Sequence, residues 1–136
     1  MGAIFVARSV KFGKWASDVG LSKHVFKLGY SDEDPKDDVA RGWAGADDWA
    51  LLTQEKADGL SEAQVVERAQ RKIKMIDPKY YPRLKDAIGL FKVDPVAVEN
   101  HMLVARALRG EAESLAFKLT PADFAAYLIA LARPGA

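Results

Sequence analysis

Seven basic side chains fall between residues 68 and 85: Arg68, Arg71, Lys72, Lys74, Lys79, Arg83 and Lys85, with Tyr80 and Tyr81 among them. Clustered cations meet phosphates, and exposed tyrosine rings stack on unpaired bases. Arg68, Arg71, Lys72, Lys74, Lys79, Tyr80 and Arg83 are therefore candidate nucleic-acid contacts. The competing reading is a solvated basic helix with its tyrosine rings tucked beneath it.

Other groupings offer less chemistry. His24 and His101 are far apart, and neither has a second histidine or a carboxylate at helical ligand spacing. Asp32, Asp34, Asp37 and Asp38 form an acid cluster, but Pro35 and the missing central glycine exclude a calcium loop of EF-hand type. No glycine-rich phosphate loop exists. With no cysteine, disulfides, thiolate metal sites and cysteine nucleophiles are all excluded. Trp15, Trp43 and Trp49 fit core or rim packing better than ligand platforms.

The frame for these residues is 136 amino acids, 49% hydrophobic, with 20 Lys plus Arg against 19 Asp plus Glu. A domain of this size builds a core without metal or disulfide support. The net charge of +1 hides segregated blocks: +4 over residues 1–29, −6 over 30–60, +4 over 61–92 and −1 over 93–136. If the two basic blocks meet, they form a positive face; the plainer reading is solvated surface. The apolar run from Gly2 to Ala7 is too short for a signal-peptide core, Val6 stands where a myristoylation motif wants Ser or Thr, and no stretch approaches a membrane span. These points lead us to expect a cytoplasmic protein with no membrane partner.

Ala3–Val10 and Val25–Tyr30 read as buried strands, joined by a loop from Lys11 to Lys23 that contains Gly13 and Gly20. Asp34-Pro35 starts a short helix reaching about Trp43. Asp47–Lys56 reads as a third strand. Ser61 and Gln64 form a capping box, and Val65, Val66, Ala69, Ile73 and Ile76 repeat at helical spacing, which predicts a helix over 62–76. Gly89–Val93 is a short fourth strand, followed by helices from Val96 to about Leu108 and from Thr120 through Phe124, Leu128 and Leu131. The pattern predicts an α+β fold: a small sheet of about three to four strands flanked by helices, with a further C-terminal helix.

Four short stretches resemble the GIY-YIG nuclease superfamily, in particular its phage-type branch with a Lys-Ile-Gly-like second motif. Ala3-Ile4-Phe5 is similar to the first motif, Phe26-Lys27-Leu28-Gly29-Tyr30 to the second, Asp34-Pro35 to the helix start after it, and Gly89-Leu90-Phe91-Lys92-Val93 to the strand before the last core helix. The resemblance covers residues 3 to about 108. It implies one GIY-YIG-like domain over 1–110, with 111–136 a linker and a C-terminal helix packing on the same domain.

The activity so implied is phosphodiester hydrolysis with a divalent ion, magnesium or manganese, held by a glutamate, and with a tyrosine and an arginine meeting water and phosphate. Lys27, Tyr30 and Arg41 are then the candidate catalytic side chains, and Glu62 and Glu67 the candidate metal ligands. The chain departs from that pattern at Phe5, which lacks a hydroxyl, and at Asp37 and Asp38, which stand where the family places arginine. Arg41, one turn later, is the local substitute, or else a surface side chain pairing with Asp37 or Asp38. Glu67 should face water, and Glu62 lies in the first turn, where an acid also serves the helix dipole. We therefore expect association with DNA or RNA and weak or absent cleavage. The alternative is a protein-interaction or structural module that contacts a partner or a second copy through the C-terminal helix.

Overall fold

The computed structural model describes residues 2–85, 87–108, 110 and 119–133. It is an α+β fold in which a four-stranded antiparallel sheet, in the order β3-β1-β2-β4, carries helices on both faces. The strands are β1 (Ala3–Arg8), β2 (Val25–Ser31), β3 (Ala50–Lys56) and β4 (Leu90–Lys92); the helices are α1 (Val10–Asp18), α2 (Pro35–Arg41), α3 (Glu62–Gln70), α4 (Pro95–Leu108) and α5 (Pro121–Ala132). The two expected apolar strands pair directly, with Phe5 opposite Gly29 and Val6 opposite Leu28.

Alternation along β1 and β2 feeds two cores. Ile4, Val6, Phe26 and Leu28 face α3, α5 and Val98 of α4. Phe5, Ala7 and Val25 face the other way, towards Phe12 and Ala16 of α1, Val39 of α2, and Trp49, Ile76 and Leu84. Both central strands are thus buried on both sides, which is why they read as near-continuous apolar runs instead of alternating ones, with Lys27 the charged exception in β2.

The expected loop over 11–23 is corrected: α1 occupies its first half. Ser9 caps it, its Oγ accepting from the Phe12 N–H at 3.0 Å and donating to the Asp48 carboxylate, which also accepts from the Lys11 N–H at 3.0 Å. Burial would raise the Asp48 pKa, but these donors outweigh it and hold the carboxyl below its ordinary value. Gly13, read as a breaker, lies inside the helix because a Cβ there would sit 3.2 Å from the Lys23 carbonyl. Its propensity cost, about 1 kcal/mol, is offset by burying Phe12 and Ala16. Removing the cap with Ser9→Ala should cost about 1–2 kcal/mol in urea unfolding. A loss no larger than that of an exposed Ser17→Ala control would show that the cap does not hold α1.

The helix expected over 62–76 is also corrected, ending at Gln70. Its capping box forms as expected, Ser61 Oγ accepting from the Gln64 N–H at 3.2 Å and the Gln64 side chain accepting from the Ser61 N–H at 3.0 Å. Beyond it the chain turns so that Met75 bridges to Phe91 and the Ile76 N–H donates to Leu90 O at 2.8 Å. Ile76 therefore enters the second core while Val65 and Ala69 lie in the first, although all three match one helical stripe in sequence. The expected linker at 111–118 lies outside the described residues. α5 packs on the first face of the sheet, burying Phe124 and Leu128, and Arg133 beyond its end forms a forked pair with Glu55 of β3 at 2.7–3.0 Å.

Candidate functional site

Two of the expected site residues meet under the second face of the sheet. Lys27 projects from β2 between Ala7 and Leu90, its strand neighbours, and its side chain is 1% exposed. Its ammonium donates to Glu62 Oε1 at 2.7 Å and to the Ile88 carbonyl at 2.6 Å, and it lies 5.3 Å from the centre of the Trp43 ring, which itself stacks on Phe5. α3 packs on the first face, yet Glu62 in its first turn reaches the second, because β4 stops at Leu90 and leaves the far half of β2 open at that edge. Burial pushes the Lys27 pKa below the ordinary lysine value; Glu62, and more weakly Asp38, pull it back without restoring it.

Two glycines make room for this pair. A Cβ on Gly29 would lie 2.9 Å from Glu62 Oε1 and 2.7 Å from the Phe5 ring. One on Gly89, whose φ is +79°, would lie 2.3 Å from the Leu28 carbonyl and 3.0 Å from Lys27 Nζ. The glycines of the two motif-like stretches therefore frame a buried ion pair.

The remaining candidates stand apart from it. Tyr30 points to the opposite face from Lys27, and its hydroxyl donates to Ala57 O at 2.8 Å. Arg41 is exposed at the end of α2 and bonds Asp38, the surface pairing the sequence offers as its alternative. Glu67 is exposed and bonds Arg71 at 2.9 Å. A divalent cation does not fit the residues present. Glu62 already accepts from an ammonium at 2.7 Å, and among the described residues no group of three or more His, Cys, Asp or Glu converges.

The basic segment divides by what each side chain touches. Arg68 is half-buried against the Ala132 carbonyl, 3.5 Å away, Arg71 is held by Glu67, and Arg83 donates to Ala44 O at 3.0 Å to anchor the 3₁₀ turn Pro82–Leu84. Lys72 is exposed. Lys74, Lys79 and Tyr80 line a cleft of about 870 Å³ with Tyr81 and Lys92. Tyr80 is 79% exposed, whereas Tyr81 sits edge-on to Trp15. Lys74, Lys79 and Lys92 have no ion-pair partner among the described residues, and the one acid lining the cleft, Asp77, accepts from the Lys79 N–H at 2.9 Å. Lys92 escapes a reading by linear clustering, since the antiparallel Met75–Phe91 bridge is what brings it to the cleft that Lys74 and Lys79 line.

Among the described residues no helix is long and apolar enough to cross a membrane. The chain matches no family model, no curated protein and no solved structure.

Proposed function

We propose that the protein is a nucleic-acid-binding domain of GIY-YIG-like ancestry that does not cleave, acting in the cytoplasm. The observation that carries the reading is the cleft that Lys74, Lys79 and Lys92, without ion-pair partners among the described residues, line together with an exposed tyrosine ring. Such a surface attracts phosphates and offers a stacking platform that tolerates any base. The absence of cleavage is argued from the buried pair. Lys27 occupies the motif position of a tyrosine and neutralises Glu62, the glutamate nearest the site that the resemblance implies, so neither is free to activate water or hold a magnesium or manganese ion.

Titration with single- and double-stranded oligonucleotides at several salt concentrations tests this. Tyr80→Ala should weaken single-strand binding roughly 5- to 150-fold, the equivalent of about 1–3 kcal/mol per stacked base. Lys74→Glu with Lys79→Glu should abolish binding and leave the circular dichroism spectrum unchanged, whereas the swap Glu67→Arg/Arg71→Glu, which keeps the local charge as it is, should do much less. Wild-type protein that binds no oligonucleotide at low salt would end the reading, and magnesium-dependent cleavage lost on Glu62→Ala would end its non-cleaving half.

A protein-binding reading has one specific support. α5 commits Phe124 and Leu128 to the core, so the expected contact through that helix is confined to the half-buried Tyr127 and Leu131. α4 instead exposes Val96, Leu103, Val104 and Leu108. Concentration-dependent self-association lost on Leu103→Glu would favour that reading.

A further inference from the structure

A second cleft, of about 440 Å³, opens between α1 and the start of α5 and is lined by Arg8, Lys14, Lys23 and His24 over a floor that includes Phe26 and Phe124. No lining residue is acidic, and Arg8, Lys14 and Lys23 have no ion-pair partner among the described residues. Three acids near it are engaged with helix starts: Asp48 with Ser9 and the Lys11 N–H, Asp123 with Thr120, and Asp94, next to the Val93 N–H that donates to His24 O, with the Val96 N–H. His24 lies flat on Phe124, ring centres 4.9 Å apart and planes 11° apart, and burial together with the Lys23 charge pushes its pKa down, favouring the neutral ring. The concavity thus combines positive charge that has no ion-pair partner among the described residues with a flat aromatic platform.

One turn of chain borders both this cleft and the one around Tyr80. Leu21 lines the Tyr80 cleft and Lys23 and His24 line the second, so the turn between α1 and β2 is the ridge between them. We propose that one single-stranded nucleic acid crosses this ridge, with phosphates on Lys74, Lys79 and Lys92 on one side and on Arg8, Lys14 and Lys23 on the other, and with bases stacked on Tyr80 and His24. The inference rests on the nucleic-acid reading above and extends its footprint. A duplex is the wrong shape, because paired bases present no free face to either ring.

The test is the length dependence of binding. For wild-type protein, affinity for oligo-dT should keep rising from about 5 to about 15 nucleotides as the strand reaches the second cleft. In Lys14→Glu/Lys23→Glu the rise should stop at the short length. The long strand should lose tenfold or more in affinity, and its log–log salt slope should shrink by about 1.4, or about 0.7 for each of two lost phosphate contacts. Lys14→Gln/Lys23→Gln, with an unchanged circular dichroism spectrum, guards against a folding defect and should show the same direction with a smaller loss. If the variants bind long strands as wild type does, the second cleft is not part of the path, while Tyr80→Ala still reports on the first. If no length binds wild-type protein, the nucleic-acid reading fails and takes this inference with it.

Discussion

Glu62→Ala should destabilise the protein by about 3 kcal/mol at pH 7, because it leaves the Lys27 ammonium buried against a carbonyl and an aromatic ring, with only the weaker pull of Asp38 as counter-charge. The lower part of the range for broken buried pairs applies, since Glu62 itself is 38% exposed and water can follow the missing carboxylate. A ceiling exists as well. Deprotonating a lysine of ordinary pKa at pH 7 costs about 5 kcal/mol, and the penalty cannot exceed that because Lys27 would discard its proton first. The ceiling falls by about 1.4 kcal/mol for each unit of pH rise.

The defect of Glu62→Ala should therefore shrink between pH 7 and pH 9.5. The sign for wild type follows the same way. Burial depresses the Lys27 pKa in the folded protein, so between that value and the unfolded lysine value the unfolded chain binds more protons. The Lys27 contribution to stability consequently increases with pH across that window, and Lys27→Met should flatten it. Urea unfolding of the variants at the two pH values checks both statements. An equal loss for Glu62→Ala at each pH would mean that it reflects a lost helix-terminal charge, not a stranded ammonium.

The strands were legible because residues buried on both sides leave apolar runs, uninterrupted in Ile4–Ala7 and broken only by Lys27 in Val25–Leu28. The capped helices were legible where the cap is local: Asp34 before Pro35, Ser61 with Gln64, Thr120 before Pro121. Helix α1 was hidden because Gly13 reads as a loop residue until the Lys23 carbonyl behind it is seen. Ile73 and Ile76 lengthened α3 on paper because helical spacing cannot reveal that the chain turns to reach β4. The ion pair was hidden for a different reason. A lysine inside an apolar strand demands a partner, but its partner lies 35 residues away and arrives round a sheet edge that only the short β4 leaves open. The basic segment was visible as composition, yet the sequence does not separate Arg68, Arg71 and Arg83, which bond the protein itself, from Lys74 and Lys79, which do not.

Gly89→Ala should be among the most damaging single-methyl additions available in this chain, costing about 3–5 kcal/mol, in the range of severe single substitutions. Two effects combine. A φ of +79° strains any L side chain, at about 1–2 kcal/mol. The added methyl would also lie 2.3 Å from the Leu28 carbonyl, which is backbone within the central sheet and cannot swing aside. The chain around residue 89 must move instead, pulling on the Leu28 N–H to Gly89 O bond of 2.8 Å and on the adjacent Ile88 carbonyl that accepts from Lys27. Gly59→Ala separates the two effects: its φ is +76°, but nothing lies within 4 Å of the new methyl, so only the strain of about 1–2 kcal/mol should remain. Gly29→Ala should fall between them, because the atoms its methyl meets, the Phe5 ring and the Glu62 carboxylate, belong to side chains that can give way. Urea midpoints for the three variants, measured at constant m, order them. If Gly89→Ala is no worse than Gly59→Ala, the close packing of that turn against β2 is not what holds Lys27 in place, and a site built around the buried pair loses its structural basis.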